Sequence, residues 1–169
     1  MIKFINAQLE KYVLPYVFRI SEQPMLYKEL LDANKRYNDG MKLEGNIAGM
    51  RLSIGRTILS FGLIWHFLFV LPVGTILHTM LADLDCHMSV ILAILFTAFF
   101  FGSYFVFKEY IIEMSAKNQI LKAWRNHFTH FDFAKHSIEV STLYSKAIEE
   151  ELANKDIRMF ILNGIITEK

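Results

Sequence analysis

Two apolar stretches dominate this sequence, TILSFGLIWHFLFVLPVGTILHTM at residues 57–80 and MSVILAILFTAFFFGSYFVF at residues 88–107. Each has roughly the 20 residues that an α-helix needs to cross about 30 Å of hydrocarbon. Inside lipid the backbone must satisfy its own hydrogen bonds, so both stretches are predicted to be transmembrane helices. None of the 18 Lys and Arg residues lies between positions 57 and 107, although a water-exposed surface of that length would need such charges.

The basic residues around these stretches predict the orientation of the chain. Arg51 and Arg56 precede the first stretch and Lys108 follows the second, whereas LADLDCH at residues 81–87 has no basic side chain. By the positive-inside rule, both termini lie in the cytoplasm and residues 81–87 form an external turn. We therefore expect an all-α integral membrane protein built on an antiparallel hairpin of two transmembrane helices. A bacterial inner membrane accounts for the charge pattern, and an endoplasmic-reticulum or organellar membrane would leave a comparable one.

The flanking segments, residues 1–56 and 108–169, are predicted to be cytoplasmic and helical. Residues 1–20 carry apolar side chains at helical spacing, which predicts a short amphipathic helix that Pro15 ends or kinks. This helix lies either on the inner leaflet or on the protein's own cytoplasmic helices. A second helix follows and ends at a turn at residues 38–40.

The remaining flanking residues predict further helices and no β-strand. Residues 41–56 are expected to run straight into the first transmembrane helix. The second transmembrane helix is expected to continue into the cytoplasm, since no helix breaker follows it for about seven turns. Two shorter helices then cover residues 137–153 and 156–162, and Gly164 is expected to cap the last one.

Composition and motifs exclude several classes of protein. The formal net charge of +1 argues against a nucleic-acid binder, and the single cysteine, Cys86, excludes an internal disulfide framework. Hydrophobic residues make up 53% of the chain and charged residues 21%, with a mean hydropathy of +0.29. This composition indicates a chain of which one part lies in the bilayer and the other part in water. No phosphate-binding, hydrolase, kinase or dinucleotide motif is present. We expect no enzymatic activity and no cofactor.

Small residues on the two transmembrane helices predict how the helices pack. Small side chains at four-residue spacing allow two backbones to approach closely, and we expect the Phe-rich remainder of the second helix to face lipid. Pro72 is expected to kink the first helix. The predicted packing residues are Gly62, Gly74, Ser89, Ala93, Thr97, Ala98 and Gly102.

Histidines supply the candidate ligands. His66 lies near the middle of the first transmembrane helix, where we expect a neutral imidazole that bonds to a carbonyl or hydroxyl group at a helix contact. The alternatives are a haem ligand or a proton gate. His127 and His130 are three residues apart on a helix and could share a metal ion, but no further ligand motif accompanies them, so no metal is expected.

Three functions are compatible with this organisation. The one we favour is a non-enzymatic accessory, scaffold or assembly subunit of a larger inner-membrane complex, such as a secretion, motor, respiratory or transport machine. Its partners would be the lipid bilayer and other membrane protein subunits or further copies of itself. The second is a homo-oligomeric pore, because the layout is similar to that of the two-span effector domains of bacterial nucleotide-signalled defence systems. The third is a haem- or metal-bearing electron-transfer subunit that uses His66.

Overall fold

The computed structural model describes residues 2–43, 47–82 and 86–167 and is predominantly helical, which confirms the predicted all-α class. Part of the external turn predicted at residues 81–87 lies outside the described residues. The elements in chain order are α1 (Ile2–Gln8), a first π-helical turn (Leu9–Val13), α2 (Leu14–Val17), β1 (Phe18–Ile20), α3 (Tyr27–Asn38), β2 (Met50–Leu52), α4 (Ile54–Trp65), a second π-helical turn (His66–Val70), α5 (Leu71–Ala82), α6 (Cys86–His127), α7 (Phe133–Glu149) and α8 (Asn154–Thr167).

The chain divides into two compact units. The hairpin unit comprises Met1–Arg19 and Leu52–Ile112, and the bundle unit comprises Ile20–Arg51 and Glu113–Lys169. This division differs from the sequence-based one at residues 56 and 107. The difference arises because α2 packs against α4, so the first helical segment groups with the apolar helices rather than with the rest of the N-terminal flank.

Two helices are long and apolar enough to cross a membrane, Ile54–His78 and His87–His127. The chain itself covers very little of the most apolar part of each helix. Only 17% of the residues in the most apolar part of the first helix are buried, and none of the residues in the corresponding part of the second helix are. The predicted continuation of the second helix is confirmed, because α6 is unbroken from Cys86 to His127.

Both helical prolines follow a π-helical turn. Pro15 lies two residues after the first turn and Pro72 two residues after the second. A proline ring clashes with the carbonyl group four residues earlier, and those carbonyls belong to Lys11 and Leu68, inside the π-helical turns. The wider π-helical register relieves the clash, so the helices continue through both prolines.

A short β-ribbon lies where the sequence predicted only helix. Strands β1 and β2 pair in a two-stranded sheet, and Ser21 N–H donates to the Gly49 carbonyl over 2.8 Å beside it. The expectation that residues 41–56 run into the first apolar helix is therefore wrong. Gly49 has φ +73°, and a Cβ there would lie 2.9 Å from the Cβ of Ser21, so only glycine fits this turn.

The bundle unit packs α3, the C-terminal part of α6, α7 and α8 around one apolar core. Asp132 begins α7 by accepting a hydrogen bond from Ala134 N–H over 2.8 Å. The predicted turn after α3 is confirmed, with Gly40 at φ +66°. The most deeply buried side chains of the core are Leu30, Leu31, Ile120, Phe128, Val140, Tyr144 and Ile161.

The last helix extends past its predicted end. Gly164 was expected to cap a helix at residues 156–162, but α8 continues to Thr167. A Cβ at Gly164 would lie 2.7 Å from Leu143 Cδ1, so this glycine allows α8 to approach α7 closely. The Gly164 prediction was wrong because a small residue inside a helix has the same appearance in sequence as a C-cap.

Candidate functional site

Aromatic side chains form the contact between the two apolar helices. Phe61, Trp65 and Phe69 lie one turn apart along the first helix and meet rings of α6. The Trp65 ring centre is 4.9 Å from that of Phe99, and the Phe61 ring centre is 5.2 Å from that of Phe100. Ring pairs at such distances stabilise a contact by about 0.5–1.5 kcal/mol beyond their buried area.

This contact corrects the sequence-based view of the second apolar helix. We expected its phenylalanines to face lipid, yet Phe96, Phe99 and Phe100 contact the first helix. Phe101 and Phe105 are exposed, as that expectation required. Phenylalanines lie on several sides of the second helix, so the sequence does not show which side faces the first helix. Only the packing of the two helices decides that.

The small residues do not make the close backbone approach that the sequence predicted. A Cβ at Gly62, Gly74 or Gly102 would meet nothing within 4 Å. The physical reason is that the aromatic rings hold the two helices apart, which leaves space beside small side chains. The other predicted packing residues, Ser89, Ala93, Thr97 and Ala98, are exposed.

Some of that space forms an apolar cavity of about 610 Å³ between the two apolar helices. Gly74, Ser89 and Ala93 line it together with the rings of Phe69 and Phe96. These small residues therefore shape a groove instead of a helix contact.

His66 is the first residue of the second π-helical turn. Its imidazole is exposed, contacts the edge of Phe67 at 5.7 Å between ring centres, and forms no hydrogen bond to any other part of the chain that the structure describes. The hydrogen bond predicted for His66 is thus not made within the described chain. Beside it, Trp65 is 9% exposed and its indole N–H is also without a described hydrogen-bond partner.

His127 and His130 differ in their surroundings. A ring nitrogen of His127, Nε2, lies 2.9 Å from the Met25 carbonyl oxygen, and the imidazole packs edge-on against Tyr27. His127 therefore joins the end of α6 to the segment before α3, whereas His130 is exposed in the turn that follows. Within residues 2–43, 47–82 and 86–167 there is no group of three or more His, Cys, Asp or Glu side chains that could hold a metal ion.

A second cavity, of about 590 Å³, lies where the chain turns from α6 into α7. Trp124 organises it: the indole N–H donates to the Phe131 carbonyl over 2.7 Å, and the ring stacks on Phe128 at 4.4 Å. Lys117 and Arg125 line the same cavity and are exposed. We name this the corner cavity. This cavity was not predicted from sequence; the pattern that accompanies it is two basic residues two turns apart beside a tryptophan in an apolar stripe.

Polar side chains inside the bundle unit are paired across its helices. Asn34 donates from Nδ2 to the Ser137 carbonyl over 2.8 Å, and the Tyr144 hydroxyl donates to Asp32 Oδ1 over 2.6 Å. Burial raises the pKa of Tyr144, and the hydrogen bond to Asp32 and its negative charge raise it further. These pairs connect α3 to α7 and specify how the two helices meet.

Tyr27, like Ser115, is an exception among the buried polar groups of the bundle unit that the structure describes. Burial raises its pKa to about 12, against the opposing charge of Arg158, whose guanidinium carbon lies 5.6 Å from the ring centre. The Tyr27 hydroxyl is buried and forms no hydrogen bond within the described residues. A hydroxyl in this state lowers stability, because its hydrogen bonds to water are not replaced.

Comparison with known proteins gives no relative for this arrangement. No protein-family model, no curated protein and no solved structure matches the chain.

Proposed function

We propose that this protein is a membrane-anchored accessory or scaffold subunit of an inner-membrane complex. In this proposal the two apolar helices cross the bilayer and the bundle unit holds a partner protein in the cytoplasm. The observation that carries it is the uncovered apolar surface of the two helices, because none of the most apolar window of His87–His127 is buried by the chain itself.

The energetics of that surface support membrane insertion. Leu68, Ile76 and Val106 are each more than 70% exposed. Transferring one such side chain from water to an apolar environment stabilises the protein by about 1.5–3 kcal/mol. A hydrocarbon layer supplies that environment for every exposed apolar side chain of the hairpin at once. In water, each of these side chains raises the free energy of the folded protein.

The distribution of charge supports the orientation. Arg51 and Arg56 precede the first apolar helix and Lys108 and Lys117 follow the second, with no basic residue between them. In this orientation the bundle unit is cytoplasmic. A membrane-impermeant maleimide should label the sole cysteine, Cys86, from outside intact cells, and should label a Cys86→Ser, Lys155→Cys variant only after lysis. The reverse pattern would contradict the proposed orientation.

The corner cavity is the part of the bundle unit that is best suited to hold a partner. Its lining includes the rings of Trp124 and Phe128, and its exposed charged residues are two cations, Lys117 and Arg125, and one acid, Asp132. Neither basic side chain forms an ion pair with another described residue. A partner that inserts an apolar side chain beside an acidic one would satisfy both features.

The experiment that tests the proposed function is the native mass of the protein after gentle detergent extraction, with identification of the proteins that travel with it. We expect a companion of fixed stoichiometry. Arg125→Glu should release it, whereas Lys122→Glu, an exposed charge reversal on the same helix outside the cavity, should retain it. A companion that both variants retain would place the docking surface elsewhere on the chain.

The homo-oligomeric pore is a second candidate, favoured by His66. The His66 imidazole is exposed at mid-span and has no hydrogen bond in the described chain. Placing such a group in lipid costs free energy, and a second copy of the chain would lower that cost by covering it. A homogeneous oligomer without a companion, which conducts ions in planar bilayers and loses conductance in His66→Ala, would favour the pore over the scaffold.

A further inference from the structure

The N-terminal helical segment is attached to the hairpin unit at two points. Near its start, Asn6 Oδ1 accepts a hydrogen bond of 2.6 Å from the Tyr110 hydroxyl. Near its end, Arg56 Nη1 donates to the Tyr16 carbonyl over 3.2 Å, and the guanidinium carbon lies 5.3 Å from the Tyr16 ring centre. Leu14 and Val17 are buried in the same contact region. The segment is therefore held along its length rather than by one end.

These two attachments set the depth of the segment relative to a membrane that the hairpin crosses. Tyr110 follows the second apolar stretch by three residues, about 4.5 Å of helix, and Arg56 immediately precedes the first. The headgroup layer on each side of the hydrocarbon is roughly 5–7 Å thick. Both ends of the segment consequently lie at the level of the headgroups, on the side where the two apolar helices begin and end.

The exposed surface of the segment is divided into an apolar and a charged side. Ile5, Tyr12 and Tyr16 lie along one side of the helix and are exposed, with Tyr12 at 62%. Lys3 and Lys11 attach on the other side and are also exposed, and the Lys11 ammonium folds back to 5.0 Å from the Tyr12 ring centre. Tyrosine rings at the headgroup level and lysines that reach toward phosphate groups are typical of helices that lie in the membrane surface.

We propose that the described helical segment, residues 2–17, is an in-plane anchor that lies in the inner leaflet and binds anionic lipid. This inference rests on the proposed membrane insertion of the hairpin and adds a third membrane contact to it. Two features favour lipid over a protein partner. The exposed apolar side of the segment lies at the headgroup level that its two attachments to the hairpin set, and Lys3, Lys11 and Arg19 carry charge that complements acidic headgroups.

The test uses full-length protein in a Cys86→Ser background, with one environment-sensitive fluorophore per variant. Probes are attached at Ile5→Cys and Tyr12→Cys on the apolar side, and at Ala7→Cys, a matched exposed position beside the lysines. The protein is reconstituted into phosphatidylcholine vesicles with and without phosphatidylglycerol. We expect lipid-attached quenchers to reach the Ile5 and Tyr12 probes several-fold better than iodide does, most strongly with phosphatidylglycerol, and the reverse for the Ala7 probe.

A probe at Ile94→Cys, an exposed position on the second apolar helix, separates the two proposals. If iodide quenches the Ile94 probe as well, the hairpin is not inserted and the proposed function fails. If the Ile94 probe is in lipid while iodide quenches the Ile5 and Tyr12 probes, the in-plane anchor alone is overturned. Protection of those two probes from both quenchers would mean that a protein surface or a second copy covers the segment, which also overturns the inference.

Discussion

Asn34 and Ser137 lie 103 positions apart in sequence, and the Asn34 amide donates to the Ser137 carbonyl over 2.8 Å. Asn34 is fully buried. Asn38, one turn later and half-buried, donates to the same carbonyl over 2.9 Å. One backbone oxygen of α7 thus accepts hydrogen bonds from two side-chain amides of α3. These two bonds set the register between the helices.

Asn34→Leu should lower the free energy of unfolding of the bundle unit by about 1–3 kcal/mol, since a buried hydrogen bond is lost where no water can replace it. Asn38→Leu should cost less, because solvent reaches its side chain. Denaturant unfolding of the full chain in detergent, followed by Trp124 fluorescence in a Trp65→Phe background, measures both. Equal effects of the two substitutions would contradict the role given to burial.

Gly49→Ala should destabilise the β-ribbon more than Gly40→Ala. Both glycines have positive φ, for which an L residue costs about 1–2 kcal/mol. At Gly49 the new Cβ would also lie 2.9 Å from the Ser21 Cβ, whereas a Cβ at Gly40 meets nothing within 4 Å. Hydrogen exchange at the Ser21 amide, compared between the two variants, reports the difference. Similar exchange rates would exclude the steric part of the argument.

Tyr27→Phe and Tyr144→Phe should change stability in opposite directions. The Tyr27 substitution removes a buried hydroxyl without a described partner and should stabilise the bundle unit by about 1 kcal/mol. The Tyr144 substitution removes the hydrogen bond to Asp32 and should destabilise it by about the same amount. The midpoints of denaturant unfolding measure both changes, and a loss of stability in Tyr27→Phe would show that its hydroxyl has a partner.

Stability should also fall at alkaline pH. Burial holds the pKa of Tyr27 at about 12, above the value of about 10 of an unfolded tyrosine, so the folded state keeps a proton that the unfolded state releases. The stabilisation is complete below pH 10 and is lost as the pH rises through about 12. Circular dichroism across this range should show Tyr27→Phe unfolding at higher pH than the parent, with exposed Tyr12→Phe as the unchanged control. An unshifted alkaline midpoint in Tyr27→Phe would contradict the assignment.

Trp65→Ala should loosen the hairpin, whereas Phe101→Ala should not. Trp65 contacts rings on both apolar helices, and truncating a buried aromatic side chain costs about 3–5 kcal/mol. Phe101, on the stretch of α6 that Trp65 contacts, is 54% exposed, and its truncation should cost far less. Disulfide trapping between cysteines placed on the two helices, at matched positions in both variants, reports helix separation. Equal trapping in both variants would show that the aromatic contact does not hold the helices together.

The candidate site was only partly predictable from sequence. Composition alone reveals His66 as a titratable residue near the middle of an apolar helix. Its exposure was not predictable, since the side of the helix that turns inward depends on how Phe61 and Trp65 pack. The corner cavity was missed altogether, because it forms only when the turn after α6 folds back over Trp124.

Local sequence was sufficient to predict the two apolar helices, the long continuation of α6 and the turn at Gly40. Each of these depends on the hydropathy or conformational preference of consecutive residues, and those properties do not change with what lies elsewhere in the chain. The β-ribbon at Gly49, the contact of Gly164 with Leu143 and the pairing of Asn34 with Ser137 came only from the tertiary structure. Each of these contacts joins residues that are distant in sequence. Its interaction energy is gained only when packing has brought the two residues together.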